Sequence, residues 1–107
     1  MSTYVFRKEN VLGYPVNRGD SMSEMRLDPK IVGDVIAKYR MQKGLTQEVL
    51  SGLSDIGRTH LSAIERGERK PTLETLYRLS TALDVPMSVL VASIEKELKK
   101  ETESGGS

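Results

Sequence analysis

From residue 28 onward, apolar positions recur every three or four residues, and turn residues cut this pattern into five segments of helical period. Asp28-Pro29 opens the first with an oxygen cap followed by a proline at the first helical position. Ile31, Val32, Val35, Ile36 and Tyr39 then share one face. Gly44 ends the segment after Lys43, a cation suited to the negative end of a helix. Thr46 caps a second helix with Val49, Leu50 and Leu53 as its inward face. The connection Ser54-Asp55-Ile56-Gly57 leads to a third helix that starts at Arg58, turns Leu61 and Ile64 inward and ends at Gly67. After the loop Glu68-Arg69-Lys70-Pro71, Thr72 caps a fourth helix with Leu73, Leu76, Leu79, Ala82 and Leu83 inward. Pro86 opens a fifth that runs to about Lys100, with Val89, Leu90, Ile94 and Leu98 in a stripe.

The pattern stops at both ends. Residues 1–27 hold apolar clusters broken by Gly13 and Pro15, then the turn-like run from Asn17 to Ser21. They read as an irregular N-terminal arm, either a loose leader or a short hairpin packed on the body or on a partner subunit. Residues 101–107 are polar, end in Gly-Gly-Ser and read as a disordered tail. The fold class is therefore all-α: one helical domain over residues 28–100 between an arm and a tail.

Composition narrows the chemistry. At 107 residues the chain holds one domain and one modest core. Cysteine is absent, which excludes a disulfide scaffold and any thiolate zinc site. His60 is the sole histidine, so neither a multi-histidine metal site nor a nucleophile–histidine enzyme is indicated, and no cofactor is expected. No run approaches the roughly 18 apolar residues of a membrane span, and the first residues lack a signal-peptide layout, so a cytoplasmic location is the default. The net charge of +1 does not announce a nucleic-acid partner. Its distribution says more. Arg40 to Lys70 carries six basic and four acidic residues, whereas the fifth segment and tail carry three and four.

The informative stretch is Thr46 to Gly67. Two short helices joined by so tight a connection must cross steeply. Ser51 is small where they approach, and Asp55 sits where a residue tolerant of left-handed backbone is needed. With Val49, Leu50, Leu53, Ile56, Leu61 and Ile64 as the buried set below, Arg58, Thr59, Ser62, Ala63 and Arg66 are left pointing outward. A polar, donor-rich helical surface without bulky apolar groups suits the major groove of duplex DNA.

Gly44-Leu45-Thr46-Gln47-Glu48, then Ile56, then the run Ile64-Glu65-Arg66-Gly67-Glu68-Arg69-Lys70-Pro71-Thr72-Leu73-Glu74-Thr75-Leu76 together resemble the Cro/repressor-type, or Xre-like, helix-turn-helix family. The stretch Arg58-Thr59-His60-Leu61-Ser62-Ala63-Ile64-Glu65-Arg66-Gly67-Glu68-Arg69 also resembles the controller proteins of restriction–modification systems. The resemblance implies a five-helix, lambda-repressor-like DNA-binding domain over residues 28 to about 92. It implies that Gln47 contacts a phosphate at a helix N-terminus and that Arg58 and Thr59 read bases, with Ser62 and Ala63 one turn further on. His60 either reaches a phosphate or packs half-buried. Arg66, Arg69 and Lys70 would lie along the DNA backbone, and Arg40 and Glu65 would form an internal ion pair that orients the reading helix. Three departures stand out: Asp55 replaces a usual glycine, Ser51 a usual alanine, and Gly57 a usual oxygen-bearing cap.

A single short helix reads few base pairs, so a useful site calls for two copies of the chain and a near-palindromic operator. Val89, Leu90, Ile94 and Leu98 are the expected dimer interface, unless the stripe only closes the monomer core. The expected function is a homodimeric transcription regulator of the repressor type on an inverted repeat in double-stranded DNA. The alternative is an antitoxin or other protein-interaction module that also binds DNA and holds a protein partner. No enzyme is expected.

Overall fold

The computed structural model describes residues 26–106, with side chains as far as Glu101. Among these residues the chain forms α1 (Pro29–Gln42), α2 (Gln47–Ser54), α3 (Arg58–Glu65), α4 (Leu73–Leu83) and α5 (Met87–Gly106). The expected arm lies almost wholly outside the described residues.

Three of the five starts are written in the sequence as side-chain caps. Asp28 Oδ1 accepts the Lys30 N–H at 2.9 Å, Thr46 Oγ1 that of Val49 at 3.1 Å, and Thr72 Oγ1 that of Thr75 at 3.0 Å. Helix α3 has no such bond: its cap is Gly57, which has no side chain to offer. Among the described residues four turns use left-handed backbone: Gly44 (φ 71°) follows α1, Asp55 (φ 58°) follows α2, Gly67 (φ 80°) follows α3 and Asp84 (φ 60°) follows α4. Aspartate tolerates this region better than most residues, which is why the bend survives without glycine.

Helix α1 packs on α3 and α5, α2 packs on α3 and α4, and α4 packs on α5. Their shared core holds Val32, Val35, Ile36, Leu50, Leu61, Ile64, Leu76, Leu79, Leu83, Leu90 and Ile94. Two glycines let backbones touch. A Cβ on Gly33 would stand 2.2 Å from the Ile64 carbonyl oxygen and 2.8 Å from that of Glu65, so α1 lies against the last turn of α3. A Cβ on Gly67 would stand 2.9 Å from the Lys30 Cα, and its φ of 80° already favours glycine. Tyr39 and Ser93 join their hydroxyls at 2.7 Å and tie α1 to α5.

The inward faces differ from expectation at three places. Val49, Leu53 and Leu73 are 46 %, 62 % and 71 % exposed. Helix α2 approaches its neighbours through Leu50, Ser51 and Ser54, and close approach selects small side chains. Ser54 satisfies its own hydroxyl on the Leu50 carbonyl at 2.7 Å, so it can be buried, while Val49 and Leu53 turn to the flank. Leu73 stands at the first position of α4, ahead of the turn that meets the core.

Helix α5 differs too. It continues through Gly106 instead of stopping near Lys100. The residues after Lys100 include no proline, and the first glycine is Gly105, so nothing breaks the helix earlier. Within the expected dimer stripe, Leu90 and Ile94 are 0 % and 5 % exposed inside the single chain. They close the monomer core. Val89, 41 % exposed, and the half-buried Leu98 are the members a partner can reach. Among the described residues no helix is long and apolar enough to cross a membrane.

Candidate nucleic-acid interface

Helix α3 has two unlike sides. Leu61 and Ile64 are fully buried, and Glu65 is the one carboxylate among the core-facing residues of the helix. Arg58 and Thr59 stand exposed on the opposite side at its start, with Ser62 and Ala63 half-exposed one turn on. The geometry that fixes the buried side runs through Glu65. Arg40 on α1 grips it with two parallel bonds, Nε to Oε2 at 2.7 Å and Nη2 to Oε1 at 2.9 Å. The third arm of the guanidinium donates to the Leu45 carbonyl at 2.8 Å. Gln47, at the first position of α2, donates its amide to Oε1 at 2.9 Å.

The pair is nearly dry: the Arg40 and Glu65 side chains are 14 % and 6 % exposed. The hydrogen bonds to Glu65 hold the Arg40 guanidinium above its already high pKa, against the opposing effect of burial. Three helices therefore meet on one carboxylate, and the angle of α3 is set by a network with fixed bond directions.

The α2–α3 bend has a second restraint. Arg78 on α4 donates to the Asp55 carbonyl at 3.2 Å and to its carboxylate at 3.3 Å, and its other nitrogen pairs with Glu74 at 3.1 Å. The left-handed residue at the bend is thus held from outside the motif.

The outer surface divides into free and engaged groups. Arg58, Arg69 and Lys70 are exposed and have no hydrogen bond or ion pair among the described residues. Arg66 is engaged: Nε and Nη2 donate to the two Glu68 oxygens, each at 2.9 Å, and Nη1 donates to Ser62 Oγ. The bond to Glu68 raises the pKa of Arg66 and lowers that of Glu68. Gln47, expected to serve a phosphate, spends one amide hydrogen on Glu65 and keeps the other. His60 is half-buried.

The structure thus brings Arg58, Thr59, Ser62, Ala63 and Arg66 onto one surface, with Arg69 and Lys70 on the loop that follows. Sequence reasoning passed over Gly33, Arg78 and Glu68. Gly33 carried a readable signal, since glycine inside a helical pattern costs about 1 kcal/mol against alanine and asks for a packing reason. Arg78 and Glu68 carried none beyond their charge.

Comparison with known proteins agrees with this geometry. A helix-turn-helix family model matches residues 36–90, just over half of the chain. The HTH-type transcriptional regulator y4dJ of Sinorhizobium fredii, itself uncharacterized, is 43 % identical over 67 residues, covering 63 % of this chain and 87 % of that protein. The control protein C.MunI of a Mycoplasma species is 38 % identical over 66 residues, covering 61 % of this chain and 89 % of its own length. Among solved structures, the restriction–modification controller protein C.Esp1396I, as a tetramer in complex with its natural 35 base-pair operator, superposes with a TM-score of 0.63. It is 36 % identical, over 68 % of this chain and 96 % of that one. On the matched segment and the superposition with these controller proteins, this chain belongs to the helix-turn-helix family, in its Cro/repressor or Xre-like branch.

Proposed function

We propose that the chain is a transcription regulator that binds double-stranded DNA in a sequence-specific manner, as a homodimer on an inverted repeat. The observation that carries this reading is the two-sided α3: a polar outer face led by the unengaged Arg58, on a helix whose underside is locked by the core and by Arg40, Glu65 and Gln47. A site held by rigid neighbours spends little free energy on ordering when DNA arrives.

The roles follow from side-chain chemistry. Arg58 presents an unengaged planar fork that matches the O6 and N7 acceptors of guanine. Thr59 offers a hydroxyl and a methyl to the neighbouring base. Ala63 offers only apolar contact, and Ser62 a hydroxyl. Arg69 and Lys70 lie on the loop after α3, where they attract phosphates without reading sequence. The second amide hydrogen of Gln47 and the open N-terminal end of α2 favour an anion there. His60 has a polar ring edge for the same backbone.

Two copies are needed because so few side chains reach bases. The relative C.Esp1396I is a tetramer on its operator, which supports assembly of more than one chain on DNA. Val89 and Leu98 are the surface members of the α5 stripe on which a second copy would sit, above Leu90 and Ile94. The compartment that goes with this proposed role is the cytoplasm.

The test is selection of bound sequences from random duplex DNA, followed by the mass of the complex with the recovered duplex. The expected result is an inverted repeat carrying two chains. Recovery of no common sequence overturns the reading, and a complex with a single chain overturns the homodimer.

A further inference from the structure

The cations on the outer face are of two kinds, and the difference has a consequence for how DNA is discriminated. Arg58, Arg69 and Lys70 are free, whereas Arg66 is bound on three of its five N–H donors by Glu68 and Ser62. We infer that Glu68 is a specificity-determining residue: it clamps Arg66 so that this cation does not serve as an indiscriminate phosphate contact, and through Arg66 it orients Ser62 toward the groove. The inference rests on the DNA-binding role proposed above.

The clamp is built into the end of α3. Arg66 is the C-cap, Gly67 turns left-handed at φ 80°, and Glu68 follows with its N–H on the Ala63 carbonyl at 2.9 Å. The Gly67 N–H meets the Ile64 carbonyl at 3.0 Å, which completes a hydrogen-bonded helix end. This turn returns the chain at once, so residues two apart bring their side chains together. It is also fixed from behind, because the Gly67 Cα lies against the Lys30 backbone. The clamp is therefore a product of backbone geometry, not of a chance meeting of two long side chains.

The chemistry follows. An arginine released at this edge would attach to a phosphate of any duplex, because that contact carries no sequence information. Glu68 offsets it in two ways: its charge opposes the phosphate, and its two oxygens occupy the fork. The Ser62 oxygen, accepting from Arg66, keeps its own O–H as a donor aimed away from that bond. A donor on the outer face suits a base-edge acceptor. Because both Arg66 and Glu68 are more than half exposed, the clamp contributes little to holding the fold together, which separates its effect on binding from an effect on stability.

The experiment uses the full chain, with Glu68→Gln, Arg66→Ala and the double variant, on two duplexes: the selected sequence and a random one. Affinity is measured across a salt series. For Glu68→Gln, random-duplex affinity should rise several-fold and its log–log salt slope should steepen by about 0.9 for each protomer, the effect of one added phosphate contact. The selected duplex should gain less, so the ratio of the two affinities should fall. In the Arg66→Ala background, Glu68→Gln should no longer steepen the slope. An unchanged ratio, or the same steepening without Arg66, overturns the inference. The random-duplex arm needs no operator, so failure of the wild type to select a sequence would count against the proposed function and not against the clamp.

Discussion

Two arginine–glutamate pairs lie side by side in this molecule, Arg40 with Glu65 and Arg66 with Glu68, and their glutamates bracket the end of the same helix. Both are bidentate, with bonds of 2.7 and 2.9 Å in one and 2.9 Å twice in the other. Their surroundings differ. The first is 14 % and 6 % exposed, the second 54 % and 57 %. Identical groups in near-identical geometry thus do different work. In the dry pair, neither charge can be left alone, so the pair dictates how α1 and α3 meet. In the wet pair, water and salt replace either partner cheaply, so the fold does not depend on it and the pair is available to act on ligands.

The comparison breaks most visibly at Glu65. Glu65→Ala leaves Arg40 charged and nearly buried, and should cost about 3–5 kcal/mol in a denaturant titration, close to unfolding a domain this small. Exchanging both partners, as Arg40→Met with Glu65→Leu, should recover most of that loss, because apolar groups of similar volume need no partner. Failure of the exchange to recover stability would mean that the pair is a net stabiliser and not chiefly a device of orientation.

A smaller loss is expected at Gly33. Gly33→Ala sets a methyl against the carbonyls of Ile64 and Glu65, and α3 must shift to admit it, at about 1–3 kcal/mol of overpacking. Because the shift moves the helix proposed to read bases, DNA affinity should drop by more than the unfolding midpoint suggests. An equal loss in both would mean that the angle of α3 does not matter.

The smallest effect on the fold is at the exposed pair. Glu68→Gln should leave the denaturation midpoint in place while changing DNA binding. A clear fall in the midpoint would remove the contrast between the two pairs.

Much of this was legible in the chain. The caps at Asp28, Thr46 and Thr72, the left-handed bend at Asp55 and the core from Val32 to Leu83 follow from hydrogen-bonding chemistry and period, which are local. The packing of α2 on α3 was equally local, since so short a connection keeps the two helices together. What was hidden depends on three-dimensional approach. Leu53 and Leu73 lie at helical positions that read as inward, yet the close approach of α2 and the end position on α4 turn them out. The Gly33 contact, the Arg78 hold on Asp55 and the Glu68 clamp all arise from residues whose partners are chosen by the fold or by a turn. Leu90 and Ile94 share a stripe with Val89, and no pattern separates residues that close the monomer from those that meet a second copy.

The central claim is that the free outer edge of α3 reads bases, and Arg58 is its leading residue. The most direct test is to compare wild type and Arg58→Ala on the selected duplex with every single base substitution. The variant should lose discrimination at one position in each half-site, worth about 1–3 kcal/mol there, and keep it elsewhere. If instead it weakens all duplexes by the same factor, Arg58 contacts only the phosphate backbone and the outer edge is not the reading surface.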